Sequence, residues 1–161
     1  MITIVTSHGD IVVELFDESA PVSCANFRKY AADGFFDNTV FHRVIPNFMI
    51  QGGGMPADLS RKETRPPIRN EAKNGEKNLR GTLAMARTSE VDSATSQFFI
   101  NLSDNAFLDH SSRDFGYAVF GRVAEGMDVV DAIAQVPTAR KAGHGDVPVD
   151  PVTITQVRTA D

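Results

Sequence analysis

Arg43 is the residue in this chain whose type and setting most directly offer chemistry. It alternates with apolar neighbours in the run Phe41-His42-Arg43-Val44-Ile45, so a permanent charge sits within a segment suited to burial. A charge so placed must be hydrogen-bonded, because an unpaired buried ion is very costly. An internal ion pair or strand carbonyls would satisfy it, and so would a binding site. Phe48, Met49 and Gln51 follow within a few residues, and Gln97, Phe98 and Phe99 form a second cluster of the same kind. Arginine beside Phe, Met and Gln describes an apolar pocket with a few hydrogen-bonding groups aimed into it. Either cluster alone is compatible with core packing.

Other chemistries find little support. His8, His42, His110 and His144 are far apart in sequence, none has an i, i+4 partner or a nearby cysteine, and no metal site is expected. His42 reads as a structural hydrogen-bonding residue pointing away from Arg43. The single Cys24 excludes an internal disulfide and lies on the helical stripe Ala20, Cys24, Phe27, Ala31, where a buried thiol is expected. Gly52-Gly53-Gly54 lacks the Lys-Ser/Thr of a phosphate loop, and no Gly-x-Ser-x-Gly marks a serine nucleophile. Asn101-Leu102-Ser103 is a formal glycosylation sequon that reads as chance in a chain without a secretion signal. No cofactor is expected.

The elements that must position the two clusters are short. Ile2–Thr6 and Ile11–Phe16 are β-branched runs that predict a hairpin across residues 7–10. Ser19 or Asp17 can cap a helix with Pro21 in its first turn and Gly34 beyond its end, leaving Arg28 and Lys29 in solvent. Residues 52–80, rich in Gly, Pro, Asn and charge, predict a long and mostly exposed loop with a turn at Asn74-Gly75. Strand runs resume at 81–86, 97–102 and 117–123. Met127, Val130, Ile133 and Ala134 mark a second helix that Pro137 stops, and 152–157 is a closing strand. At least seven strands with two helices and no regular alternation favour a mainly β fold, a closed antiparallel barrel with helices over its ends.

At 161 residues the chain is expected to be one domain over 1–161, and no run approaches the ~18 apolar residues needed to span a bilayer. The first ten residues read as a strand and turn rather than a leader, so a cytoplasmic location is expected. A net charge of −5 argues against nucleic acid as a general partner. Residues 61–80 nonetheless carry seven Lys/Arg against three Glu, which reads either as a solvated loop or as a patch for an acidic partner or RNA.

Several blocks resemble the cyclophilins, a family of peptidyl-prolyl cis-trans isomerases. Pro21-Val22-Ser23-Cys24-Ala25-Asn26-Phe27-Arg28 is similar to the family's first helix, and Phe41 to Gly53 to its signature. Three further blocks follow in order: 81–86, Ser96 to Ile100, and Phe120 to Val123 with Gly126 to Val130. The resemblance implies an eight-stranded antiparallel barrel capped by two helices, with Arg43 as the catalytic residue. It implies a proline pocket of Phe48, Met49, Phe99 and Leu108, with Gln51 bonding the peptide and Gln97 supporting that polar wall. Ala86 and Arg87 would line the groove for residues before proline, Arg87 through its backbone. Phe107 stands where animal members have tryptophan, and Tyr117 where they have histidine. Cyclosporin is therefore expected to bind with weakened affinity. The implied activity is isomerisation of Xaa-Pro bonds in flexible or unfolded protein clients, assisting their folding. The alternative is a proline-binding adaptor or holdase with incidental turnover. A monomer without membrane partners is expected.

Overall fold

The computed structural model describes residues 1–159. Its strands and helices run β1 Ile2–Thr6, β2 Gly9–Leu15, α1 Pro21–Ala32, β3 Thr39–Ile45, β4 Met49–Gly52, β5 Thr82–Met85, β6 Phe98–Asn101, β7 Val119–Glu125, α2 Met127–Ile133, β8 Thr138–Lys141, β9 His144–Pro148 and β10 Thr153–Thr159. Eight strands close a barrel in the order β1-β10-β3-β4-β6-β5-β7-β2, all neighbours antiparallel, so no barrel edge is left unpaired. The expected barrel and both helices are present. The first hairpin is tighter than expected, with pairing reaching Thr6 and Gly9 across Ser7-His8.

Side-chain alternation divides the barrel wall into two sets. Val44, Ile50, Ile100 and Leu83 are paired in one row and fully buried in the interior. The adjacent row pairs Arg43, Gln51, Phe99 and Ala84, which therefore face the other way. Helix α1 closes the interior with Cys24, Phe27 and Tyr30, and Phe27 lies 5.1–5.4 Å from Phe36, Phe98 and Phe120. Burial pushes the Cys24 thiol up to about 12, as suits a structural residue.

One expectation about α1 needs correction. Neither Ser19 nor Asp17 caps the helix: Ser19 donates to Glu76 and Asp17 pairs with Arg28. The cap comes from the 52–80 segment, where Glu71 is buried and accepts from the backbone N–H of Val22 and Ser23 and from the Ser23 hydroxyl. A carboxylate at a helix N-terminus satisfies orphan donors and opposes the macrodipole. The segment is the long, largely exposed loop expected, but Met55, Leu59, Asn70, Glu71, Ala72 and Asn78 within it are buried and tie it to the barrel. Replacing Glu71 with Ala should cost about 2–3 kcal/mol, as charged hydrogen bonds to buried donors are lost. Urea unfolding measures it, and a change within 0.5 kcal/mol, on the order of an ordinary surface substitution, would contradict the capping role.

The hairpin β8–β9 has no counterpart in the sequence reading, which left residues 138–148 without an element. It packs against β3 and brings His144 to His42, their rings 6.4 Å apart.

Candidate active site

The outward row of the barrel wall builds a site on its outer surface. Pairing Arg43 with Gln51 and Gln51 with Phe99 puts these three side chains side by side across β3, β4 and β6. A bulge at His42 lets Phe41, His42 and Val44 all be buried while Arg43 stays exposed. Arg43 is therefore not a buried charge needing rescue, which corrects the sequence argument. Its Nη1 donates to Gln51 Oε1 at 3.5 Å, and Gln51 Nε2 donates to Gln97 Oε1 at 3.0 Å. This chain fixes the polar side of the site.

Beside it lies a pocket of about 120 Å³ whose apolar wall is Phe48, Met49, Phe99, Leu108 and Tyr117, with Arg43, Gln51, Ala86 and Arg87 completing the rim. Its volume is well below the ~300 Å³ at which drug-sized sites begin, so it fits one compact side chain. Leu108 and Tyr117 are brought together by the Tyr117 N–H donating to the Leu108 carbonyl at 2.9 Å, and the Tyr117 ring meets Phe99 edge-on at 5.8 Å. Phe107 is apart from the rest: 71% exposed, it stacks on Phe48 at 5.7 Å and does not line the pocket. Gln97 too stays outside and reaches the site only through Gln51.

Two supports were not legible in the sequence. The Arg87 side chain, expected to matter only through its backbone, is 6% exposed and donates to the carbonyls of Thr88 and Gly116. It lies 4.6 Å from the centre of the Tyr117 ring, so it anchors both the 109–116 loop and the pocket wall. Asn101, the sequon residue, is fully buried. It donates to Asn78 and Thr82 and accepts from Asn105, which also donates to the Phe48 carbonyl at 2.9 Å. Those bonds hold the pocket's Phe48 to β6, and they agree with reading the sequon as chance.

A second cavity of about 420 Å³ adjoins the first, and the two share Gln51, Ala86 and Arg87 as walls. His42 lies in its lining, buried, with Nδ1 unpartnered. Burial first, then the neighbouring His144, Arg43 and Arg61, push His42 down to about 4. The folded protein holds it neutral, whereas the unfolded chain protonates it near 6.5. Stability therefore falls as pH drops from about 6.5 toward 4, by about 2 kcal/mol at pH 4.5. Urea unfolding at pH 7 and 4.5 should show this loss reduced in His42→Gln; equal slopes would refute it. Among the described residues no group of three or more His, Cys, Asp or Glu could hold a metal, and no helix is long and apolar enough to cross a membrane.

The basic segment is largely committed within the fold. Arg65 pairs with Asp33, Arg80 with Asp131, Lys62 donates to the Phe35 carbonyl at 2.5 Å, and Lys73 lies over the Phe115 ring.

The closed barrel thus carries on its outer surface a small pocket, apolar on one side and flanked by arginine and glutamine. Residues 1–159 match the family described as cyclophilin type peptidyl-prolyl cis-trans isomerase/CLD. Peptidyl-prolyl cis-trans isomerase A of Dickeya dadantii is 56% identical over 157 residues, covering 98% of this chain and 83% of that protein. Peptidyl-prolyl cis-trans isomerase B of Escherichia coli is 52% identical over 164 residues, covering 100% of both. A Cryptosporidium parvum cyclophilin-type isomerase, crystallised in the presence of the dipeptide Ala-Pro, superposes with a TM-score of 0.82 at 28% identity, covering 99% of this chain and 98% of that one. The chain belongs to the cyclophilin-type peptidyl-prolyl cis-trans isomerases and is an enzyme of that type. The reading as a proline-binding adaptor or holdase is not favoured.

Proposed function

We propose that Arg43 is the catalytic residue and that the 120 Å³ pocket receives the proline ring of flexible or unfolded protein clients. The observation that carries this reading is the row Arg43, Gln51, Phe99, which sets a cation, an amide and an apolar wall against one small cavity. An amide resists rotation because nitrogen donates its lone pair into the carbonyl, giving a barrier of about 18–20 kcal/mol. Uncatalysed Xaa-Pro bonds consequently isomerise over roughly tens to hundreds of seconds. Millisecond turnover requires a 10⁴–10⁵-fold acceleration, or about 5–7 kcal/mol of preferential transition-state binding.

With the ring seated against Phe48, Met49, Phe99 and Leu108, the Arg43 guanidinium addresses the prolyl nitrogen, where the lone pair localises as the bond twists. Neither nucleophile nor proton transfer is needed, and the rigid, permanently charged fork suits the task better than lysine. Gln51, steadied by Gln97, bonds the peptide beside the rotating bond. Residues before proline run past Ala86 and Arg87, and Tyr117 closes the wall. Phe107 extends the apolar surface beyond Phe48 but carries no indole N–H, so cyclosporin binds weakly. The enzyme works as a cytoplasmic monomer, one domain over 1–161; residues 160 and 161 lie outside the described structure. NMR exchange spectroscopy on a short Xaa-Pro peptide tests the reading: catalytic protein should bring cis-trans exchange to the millisecond range, and binding without faster exchange would overturn it.

A further inference from the structure

The Arg87 side chain is 6% exposed, and nothing in the rotation of the prolyl bond calls for its charge. Its one carboxylate neighbour among the described residues, Asp114, is itself 63% exposed and lies at 3.5 Å. The other donors all go to carbonyls: Nε and Nη2 to Gly116 at 3.2 and 2.9 Å, and Nη1 to Thr88 at 2.9 Å. A guanidinium taken out of water with so distant a counter-charge adds little net stability, because desolvation offsets most of what its bonds contribute. What the fork does supply is geometry, since one rigid plane holds two carbonyls and a ring together.

That ring is Tyr117, 4.6 Å from the guanidinium carbon. Elsewhere in the apolar wall of the small pocket, Met49 and Phe99 are fixed within β4 and β6, and Phe48 is tied through its carbonyl to Asn105. Tyr117 has no strand to fix it. It stands two residues before β7, at the end of the irregular 109–116 loop. That loop returns to the barrel at Gly116, whose carbonyl accepts from both Arg87 donors and from Asn70 Nδ2 at 3.1 Å. Glycine is required there, since φ is +89° and an added Cβ would meet the His110 backbone nitrogen at 2.5 Å. One side chain therefore fixes the backbone just before Tyr117 and also lies over its ring.

We propose that Arg87 is a positioning residue that keeps Tyr117 in place as a wall of the proline pocket. It thereby sets the affinity for client peptide, while Arg43 sets the rate of bond rotation. The inference rests on the proline-pocket reading above. A wall that touches the proline ring touches it in the ground state and the transition state alike, so loosening it weakens both equally. Such uniform binding shows in KM and not in kcat.

The test measures kcat and KM on a short Xaa-Pro peptide, with a melting curve on each sample. The variants are Arg87→Met, Arg87→Lys, Tyr117→Ala and the double variant of Arg87→Met with Tyr117→Ala. Met keeps the apolar stem and removes the fork, so it should raise KM about fivefold, roughly 1 kcal/mol, with kcat within about twofold of wild type. Lys keeps the charge but presents one point instead of a fork, and should recover less than about half of the loss. Tyr117→Ala should itself raise KM at least as far, and in that background Arg87→Met should change KM by no more than about 1.5-fold. An effect of equal size in both backgrounds would overturn the proposal, because Arg87 would then act on the client or on the fold directly. A loss of kcat with KM unchanged, or full recovery by Lys, would overturn it too. If Arg87→Met does not fold, wild type saturated with peptide decides. NOE contacts should then join the proline protons to the Tyr117 ring and none to the Arg87 guanidinium, and any other pattern overturns the proposal. Failure of the proline-pocket reading looks different, since Phe99→Ala would then keep a normal KM, whereas failure of the positioning role alone leaves Phe99→Ala impaired.

Discussion

Arg43→Ala is expected to lower kcat/KM on a Xaa-Pro peptide at least tenfold while the protein keeps its fold. The side chain is exposed and its one hydrogen bond among the described residues, to Gln51, is long, so truncation leaves no cavity and no buried unpaired partner. The thermal midpoint should move by no more than a degree or two, on the order of a surface substitution. The catalytic loss has a different origin. The guanidinium interacts most strongly with a prolyl nitrogen whose lone pair has been freed by twisting, and that state exists only near the transition state. Most of the loss should therefore fall on kcat rather than KM, and tenfold is about 1.4 kcal/mol of the 5–7 kcal/mol required. Arg43→Lys keeps the charge without the fork and should lie between wild type and Ala. NMR exchange and a melting curve measured on the same samples decide the matter; near-normal turnover in folded Arg43→Ala would remove Arg43 from the mechanism.

How far such a site can be read from sequence depends on whether its signals are local. The β-branched runs around Ile4 and Val13 and the apolar runs around Val44 and Ile100 announce strands, and the barrel they build is the one expected. The stripe through Cys24, Phe27 and Ala31 likewise announces α1. The residues lining the small pocket were legible because Phe48, Met49 and Gln51 follow Arg43 closely, because Phe99 belongs to a second cluster of the same kind, and because the resemblance supplied Leu108 and Tyr117.

What escaped depends on distant partners. Glu71 caps a helix that begins fifty residues earlier, and no local pattern distinguishes it from a solvated glutamate. Arg87 gains its role from Gly116, which a loop carries back to it. Asn101 looks like a modification site until its amide is found bonded to Asn78 and Thr82. The β8–β9 hairpin lacks apolar alternation because β8 and the first half of β9 are largely exposed. Arg43 lines the small pocket, but the sequence argument rested on its burial: the bulge at His42 turns it outward, so alternation alone misjudged its exposure.

The adjacent residues Phe98 and Phe99 on β6 put the same side chain to opposite uses, and their truncations should separate accordingly. Phe98 is fully buried, its ring near-perpendicular to Phe27, Phe36 and Phe41 at 5.4, 5.8 and 6.2 Å. It also fills the space beside Gly53, where an added Cβ would meet it at 2.9 Å. Its neighbours are fixed in α1, β3 and the 34–38 turn, so they can collapse only partly into the void. Phe98→Ala should therefore cost about 3–5 kcal/mol, the range for a large aromatic removed from a close-packed core. Against a total stability of about 5–15 kcal/mol that is a third or more for most proteins of this size. Phe99 faces the pocket with Met49 and Tyr117, and its loss removes apolar wall that the substrate ring would touch. Phe99→Ala should raise KM several-fold and cost less stability than Phe98→Ala, because one side of its cavity already opens to solvent. Urea unfolding of both variants, with peptide kinetics on each, reads the contrast. Equal stability losses, or a KM effect confined to Phe98→Ala, would mean that the division of the barrel wall into a core row and a site row is wrong.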